Sequence, residues 1–283
     1  MILIADTGAT TSSWRLIGKH GDISQFQTHG FNPYYQETGA LEKSIRNSEV
    51  ARNSAEVVHV FYYGAGCGTE ANRFLVKEVL LKVFTEAEVY VYDDMTAACR
   101  ALCGSEQGIV CILGTGANSC FYDGDEPSYQ VASLGFILGD EGSGAYLGKA
   151  LLADYLRNDL PENLSESIKK RFDLTREKVL DKIYNNELPA RYMAGFTKFI
   201  FQNIKEPYAY RTVYDAFSLF FDRNVLKYPQ VQSVPVHFSG SVGFYFSNIL
   251  RQVGNDKGVV IRNIIESPVA GLTLYHKNQY SNK

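Results

Sequence analysis

The feature that most constrains this chain is a stretch that occurs twice. "IADTGATTS", beginning at Ile4, aligns with "ILGTGANSC", beginning at Ile112, with Ile, Thr, Gly and Ala identical at the same places. In each copy an apolar run meets a Thr-Gly turn and leaves it through a polar run, which is the pattern of a β-hairpin. In the first copy Ile2–Ala5 runs into Asp6, and Thr10, Thr11 and Ser12 lead on to Trp14 and Leu16. A third apolar run follows each copy, at Ile23 and at Val131. A chain that restarts its own plan is expected to fold as two related units. Its 283 residues suffice for two domains.

Periodicity gives the first part the order β-β-β-α-β-α-β-α. The strands fall near Ile2–Asp6, Ser13–Ile17, Ile23–Thr28, Val57–Tyr63 and Val89–Tyr92. Helices are expected near Gly39–Asn47, over "TEANRFLVKEVLLKVF" with Thr69 as N-cap, and over "DMTAACRAL". The second part begins with the hairpin at Ile109. Helices follow near Ala145–Arg157 and Thr175–Asn185, with a longer helical region from Ala190 to Tyr228. The strand "VPVHFSG", a helix after Ser241, the strand "GVVIR" and a helix over "SPVAGLTLYHK" close the chain. The domain boundary falls near Ser105, giving residues 1–105 and 106–283, an α/β chain with a helical insertion in its second domain.

Charge excludes some partners. Lys and Arg number 28 against 31 Asp and Glu, so no basic excess exists to neutralise phosphates, and a nucleic-acid binder is not expected. No apolar run has the length of a membrane span, and the first residues lack the basic region of a signal peptide, so the cytoplasm is the default location. The five cysteines are odd in number and read as reduced core thiols, with a metal pair at Cys99 and Cys103 as the alternative.

Three glycine turns can present backbone N–H groups to phosphates, because glycine removes the Cβ that would block the approach. They are "DTGATTS" at Asp6, "GTGANS" at Gly114 and "SGSVGF" at Ser239. The first two occupy equivalent points of the repeat; the third joins a strand to a helix, where its turn can meet a base or ribose. An ordinary hairpin is the rival reading of any one of them. The acids form three groups. Asp6 ends a strand at a phosphate turn, where it can hold Mg²⁺ through water. Asp93 and Asp94 precede a helix, where one can take a proton from an attacking hydroxyl while the other caps. Asp140 and Glu141 of "GDEGSG" can bond vicinal sugar hydroxyls or cap the helix that follows.

In this order "DTGATTSSW", "LGTGANS", "LGFILGDEGSGAYLG" and "FSGSVG" resemble the actin-like, sugar-kinase and heat-shock-ATPase superfold. Within it they resemble the N-acetylglucosamine kinase branch of the BadF/BadG/BcrA/BcrD-type ATPases, over nearly the whole chain. The resemblance implies two ribonuclease-H-like domains with ATP and sugar in the cleft between them, and a last helix, about 267–283, packed back on the first domain. It implies an ATP-dependent kinase acting on the 6-hydroxyl of N-acetylglucosamine, with Mg²⁺ as cofactor and Asp94 as catalytic base. Asp6, Gly8, Thr10 and Thr11 then belong to the first phosphate loop and Gly114, Thr115 and Gly116 to the second. Gly240 and Ser241 belong to the adenosine motif. Asn32 of "GFNP", Asn118, Gly135 and Asp140 match sugar-contacting positions.

Two departures concern the sugar. The loop "YYGAGCGT" has no serine where the family offers one, and "LGFILG" has Phe136 but no tryptophan. N-acetylmuramic acid or glucosamine therefore remain alternative acceptors. An activating ATPase of a radical dehydratase or reductase, with an iron–sulfur cluster held through cysteines, is the alternative from another class. The assembly stays open, a homodimer among the options.

Overall fold

The computed structural model describes residues 1–8, 11–185 and 188–280. Thr10 lies outside the described residues. The chain divides into two compact units. Unit 1 comprises Met1–Glu106, Gly124–Glu126 and the segment from Ser267 onward, and unit 2 comprises Gln107–Asp123 and Pro127–Glu266.

Unit 1 is a five-stranded mixed sheet of β1 (Ile2–Thr7), β2 (Thr11–Ile17), β3 (Ile23–His29), β4 (His59–Gly64) and β5 (Glu88–Asp93), in the order β3-β2-β1-β4-β5. The first three strands form an antiparallel meander, and β4 and β5 run parallel to β1. Helices α1 (Thr38–Arg46), α2 (Glu70–Val83) and α3 (Asp94–Cys103) connect them. Alternation along β1 sends Leu3 and Ala5 to a core shared with Trp14, Leu41 of α1 and Leu80 of α2. Ile4 faces the other way, toward Phe61, Tyr63, Ala97 and Leu272. Covered on both faces, the parallel strand "HVFYYG" is almost continuously buried. As expected, the Thr69 hydroxyl accepts the Asn72 N–H at 3.2 Å and caps α2.

Unit 2 repeats the design. Its strands are β6 (Gly108–Leu113), β7 (Ala117–Tyr122), β8 (Pro127–Tyr129), β9 (Val236–Ser239) and β10 (Ile261–Ile265). Their order, β8-β7-β6-β9-β10, reproduces the order of unit 1 strand for strand. Between β8 and β9 lie α4 (Gly135–Leu138), α5 (Gly144–Arg157), α6 (Glu162–Arg171), α7 (Arg176–Tyr184), α8 (Pro189–Ala194), α9 (Thr197–Gln202) and α10 (Pro207–Arg223). Helices α11 (Ser241–Tyr245) and α12 (Ser247–Asp256) connect β9 to β10, and α13 (Val269–Tyr280) belongs to unit 1. Its Gly271 meets α3 so closely that a Cβ there would stand 2.5 Å from the Ala101 carbonyl oxygen.

The helical region expected over Ala190–Tyr228 is made of α8, α9 and α10; Pro207, which supplies no N–H for a preceding turn, starts the last of them. One expectation is corrected. The third strand of the second unit ends before Val131, whose N–H donates to the Tyr228 hydroxyl at 3.1 Å instead of to a strand. Among the described residues no helix is long and apolar enough to cross a membrane.

Candidate active site

In unit 1 the β1–β2 ladder ends at the pair Thr7 and Ser12, and the Gly8 N–H donates to the Thr11 carbonyl at 3.0 Å. Asp6 is still in the strand, paired with Ser13 on one side and Tyr63 on the other. Its Oδ2 accepts the Ser267 hydroxyl at 2.8 Å. Burial raises the Asp6 carboxyl above the ordinary range, against the lowering effects of that hydrogen bond and of Arg15.

The two acids at the start of α3 have separate tasks. Asp93 has extended backbone and its Oδ1 accepts the Thr96 N–H at 2.8 Å, which makes it the N-cap. Asp94 is the first helical residue and its side chain stays accessible to solvent. The protein around it nevertheless displaces much of the bulk water. That desolvation, with the neighbouring charge of Asp93 next, pushes its carboxyl up to about 6, against the pull of backbone N–H groups at the helix start.

The loop Gly64–Thr69 is tied to β1 and α2 and lies against Asn32. The Ala65 N–H donates to the Thr7 carbonyl at 3.0 Å. Cys67 is buried, and burial with the charges of Asp94 and Asp93 pushes its thiol up to about 12, so the loop offers no reactive sulfur. Gly66 has φ +82°, and a Cβ on it would stand 2.4 Å from Asn32 Oδ1. Asn32 thus rests on the glycine backbone. Its Oδ1 accepts the Tyr34 N–H at 3.0 Å and its own N–H donates to Gln36 Oε1 at 2.9 Å, so the side chain keeps its Nδ2 donor for other work. From α2, Asn72 Nδ2 donates to the Gly66 carbonyl at 2.8 Å, and Arg73 Nη1 reaches the Cys67 and Gly68 carbonyls.

In unit 2 the β6–β7 turn is Gly114–Gly116. The first N–H groups of α5 hold its carbonyls: Gly144 donates to Gly114 at 2.8 Å and Ala145 to Thr115 at 3.0 Å. Both peptides are trans, so the N–H groups of Thr115 and Gly116 point away from α5 as a pair of outward donors, the arrangement of an anion nest. The two hairpins are equivalent in topology, but their glycines are not equivalent in place. Gly8 opens a loop between Thr7 and Ser12, whereas Gly116 closes the shorter one between Leu113 and Ala117.

The turn after α4 is built on Asp140 and Gly142, both at positive φ. Asp140, at φ 58°, directs its Oδ1 to the Ala117 N–H at 3.2 Å, so this acid braces the Gly114–Gly116 turn. Burial pushes its carboxyl up, opposed by that hydrogen bond. Neither acid caps α5; the Ser143 hydroxyl does, accepting the Tyr146 N–H at 3.1 Å. Glu141 turns inward, buried, and pairs with Arg223 at the end of α10. Asn118 Oδ1 accepts both the Ser119 N–H and Gln130 Nε2. Gly135, at φ 69°, opens α4, whose Phe136 carbonyl is held by Lys149 Nζ at 3.0 Å.

Gly240 has φ +111°, and a Cβ there would stand 2.5 Å from the Leu113 carbonyl oxygen and 3.2 Å from Gly114 N. Only glycine lets this backbone lie against the Gly114–Gly116 turn. Ser241 then starts α11, beside a pocket of 420 Å³ lined by Lys198, Phe201, Ser241, Val242, Tyr245 and Phe246. The lining is mainly apolar, suited to the face of a base.

Among the described residues no group of three or more His, Cys, Asp or Glu side chains could hold a metal ion. A divalent cation here must therefore share its coordination with phosphate and water, which is how Mg²⁺ binds. Asp6 fits that use: Ser267 takes Oδ2 and Oδ1 is left. Cys99 is fully buried in α3, and Cys103 is partly buried. Sequence reasoning missed Ser267, Arg223, Tyr245 and Asn72. Ser267 lies 261 residues from Asp6, and only the "SP" before a helix marks it, as a cap.

No family model matches the chain, and no curated protein matches it. Among solved structures, a protein from Porphyromonas gingivalis provisionally named an N-acetylglucosamine kinase superposes with a TM-score of 0.93 and 38% identity, over 99% of this chain and 100% of the other. A Chromobacterium violaceum protein with the same provisional name gives 0.65 at 18% identity, over 97% and 98%. A ROK-family glucokinase from Streptomyces griseus, in complex with glucose and AMPPNP, gives 0.59 at 14% identity, over 97% of each chain. The fold is the two-domain actin-like ATPase fold of sugar kinases.

Proposed function

This chain belongs to the sugar-kinase family of the Porphyromonas gingivalis protein, and on that premise we propose that it transfers the terminal phosphoryl group of ATP to the 6-hydroxyl of N-acetylglucosamine. We place it in the corresponding branch of the BadF/BadG-type ATPases. The observation that carries the reading is the division of labour at the start of α3. Asp93 is spent on the cap, and Asp94 is left solvent-accessible with its carboxyl at about 6. A base with that affinity is largely ionised at neutral pH yet basic enough to accept a hydroxyl proton as the oxygen attacks.

The remaining residues position and stabilise. In unit 2 the outward N–H groups of Thr115 and Gly116 bind phosphate oxygens, and in unit 1 Gly8 and Thr11 offer phosphate contacts. The pocket beside Ser241, against Gly240, takes the nucleoside. Mg²⁺, when bound with the nucleotide through water on Asp6, offsets phosphate charge. In unit 1 Asn32 offers Nδ2 to a sugar oxygen; in unit 2 Asp140 offers Oδ2, and Asn118 and Gly135 are assigned as further sugar contacts. Phosphoryl transfer asks little covalent chemistry of the protein, so positioning and electrostatics suffice.

ADP release measured across N-acetylglucosamine, N-acetylmuramic acid, glucosamine and glucose tests the reading. N-acetylglucosamine is expected to give the highest kcat/KM and a 6-phosphate product by NMR. No ADP release with any hexose derivative overturns the kinase assignment. A higher kcat/KM for another sugar overturns the acceptor.

A further inference from the structure

The chain returns from unit 2 to unit 1 across a single peptide bond, between Glu266 and Ser267. Both residues flanking that bond are tied down, each within its own unit. Glu266 Oε1 accepts the Tyr245 hydroxyl at 2.9 Å, and Tyr245 lines the pocket beside Ser241, its ring edge-on to Phe201 at 5.7 Å. The Ser267 hydroxyl donates to Asp6 Oδ2 at 2.8 Å. Its oxygen also receives the Val269 N–H at 3.4 Å, a long contact that adds little to the cap of α13. The Ser267 proton is thus directed to a carboxylate on β1 rather than to a helix terminus.

We propose that Tyr245, Glu266 and Ser267 form a tether through which occupancy of the nucleoside pocket sets the carboxylate of Asp6. Ser267 and Tyr245 are positioning residues. Ser267 fixes which Asp6 oxygen remains for metal-bound water, and Tyr245 fixes the connector that carries Ser267. A base settling on the Tyr245 ring constrains that ring, its hydroxyl, Glu266 and the next residue in turn. The inference rests on the ATP-binding reading above and goes beyond it, because it joins two ligand contacts through the connector.

The test is a double-mutant cycle with Ser267→Ala and Tyr245→Phe, each of which deletes one hydroxyl and little else. Calorimetric titration of the full-length protein with ATP, with and without Mg²⁺, gives the readout, alongside thermal unfolding. Losing a hydrogen bond to a charged group is expected to weaken Mg²⁺-ATP binding by S267A on the order of tenfold. Metal-free ATP is expected to lose less, and S267T, which keeps the hydroxyl, to restore the affinity. Y245F is expected to weaken Mg²⁺-ATP binding in part, and the double variant to be no weaker than S267A. Wild-type Mg²⁺-ATP affinity in either single variant overturns the tether, as do effects that simply multiply in the double variant. If S267A does not fold, Y245F and S267T decide by the same criteria. A wild-type protein that binds no ATP refutes the proposed function instead, so the two failures are distinguishable.

Discussion

The acidic limb of the pH–rate profile is the sharpest consequence of the arrangement at α3. With its carboxyl at about 6, Asp94 is roughly 90% ionised at pH 7 and roughly 10% at pH 5. A base works only when ionised, so kcat/KM for the sugar should fall about tenfold between those values. At the ordinary 3.8 of an aspartate it would stay more than about 90% ionised at pH 5 and the rate would scarcely change. The terminal phosphate of ATP also titrates near this range, so the profile alone is ambiguous. Asp93→Asn separates the two. Asparagine still accepts the Thr96 N–H as N-cap, but its charge is gone. The midpoint should then move down, and only partway, because desolvation outranks Asp93 among the causes. Phosphate titration would not move. Initial rates of ADP formation, quantified in quenched samples at saturating Mg²⁺-ATP, give both profiles. Asp94→Asn should give a flat line at least ~10²-fold lower with ATP binding intact. A wild-type rate that is flat from pH 7 to 5, or a D93N midpoint that stays in place, would refute the reasoning.

Other perturbations test the scaffolds of the two ligand ends. Gly240→Ala puts a Cβ 2.5 Å from the Leu113 carbonyl oxygen at a φ of +111°, so at least about 1–2 kcal/mol of strain falls on the phosphate turn. ATP affinity by calorimetry should drop about tenfold or more, with the sugar KM little changed. Gly66→Ala drives a Cβ into Asn32 Oδ1, and Asn72→Ala frees the Gly66 carbonyl. Both should raise the sugar KM severalfold, on the scale of about 1 kcal/mol, while KM for ATP holds. Arg223→Ala leaves Glu141 buried without its cation, and because Arg223 is itself half exposed the cost should be about 1–3 kcal/mol by urea unfolding, below that of a fully buried pair. Glu141→Gln should cost less, since a neutral amide tolerates the site better than an orphaned carboxylate.

The sequence carried the architecture because it carried it twice. Hairpin, parallel strand and helix recur with the same strand order in both units, and the Thr-Gly-Ala echo marks where each begins. The echo misled about detail. Identical residues at Gly8 and Gly116 sit at opposite ends of loops of different length, because the β1–β2 ladder extends past Asp6 while the β6–β7 ladder stops at Leu113. Strand register depends on cross-strand partners such as Ser12 and Ser13, which a local alignment does not weigh. Capping rivals chemistry for Asp93 and Asp94 and for Asp140 and Glu141, and geometry divides them: Asp93 caps one helix, Ser143 caps the other, and Asp140 braces the Gly114–Gly116 turn.

The phosphate end was more legible than the sugar end for a physical reason. Backbone N–H groups recognise an anion when consecutive peptides turn toward it, so the signal is short, contiguous and rich in glycine. Gly114–Gly116 and Gly240 announce themselves in that way. Sugar hydroxyls are met one at a time, by side chains carried on separate elements. Asn32 follows β3, Asp140 follows α4, and the floor beneath Asn32 is a loop held from α2 by Asn72 and Arg73. Asn32 and Asp140 are far apart in sequence, and each alone reads as a turn or a cap. The missing serine in that loop shows the same point. Ala65 and Gly66 are partly exposed while Cys67 is buried. On the reading proposed above, acceptor choice on this side depends on backbone shape, and substituting the residues that fix the loop will reveal more about it than replacing any one that lines it.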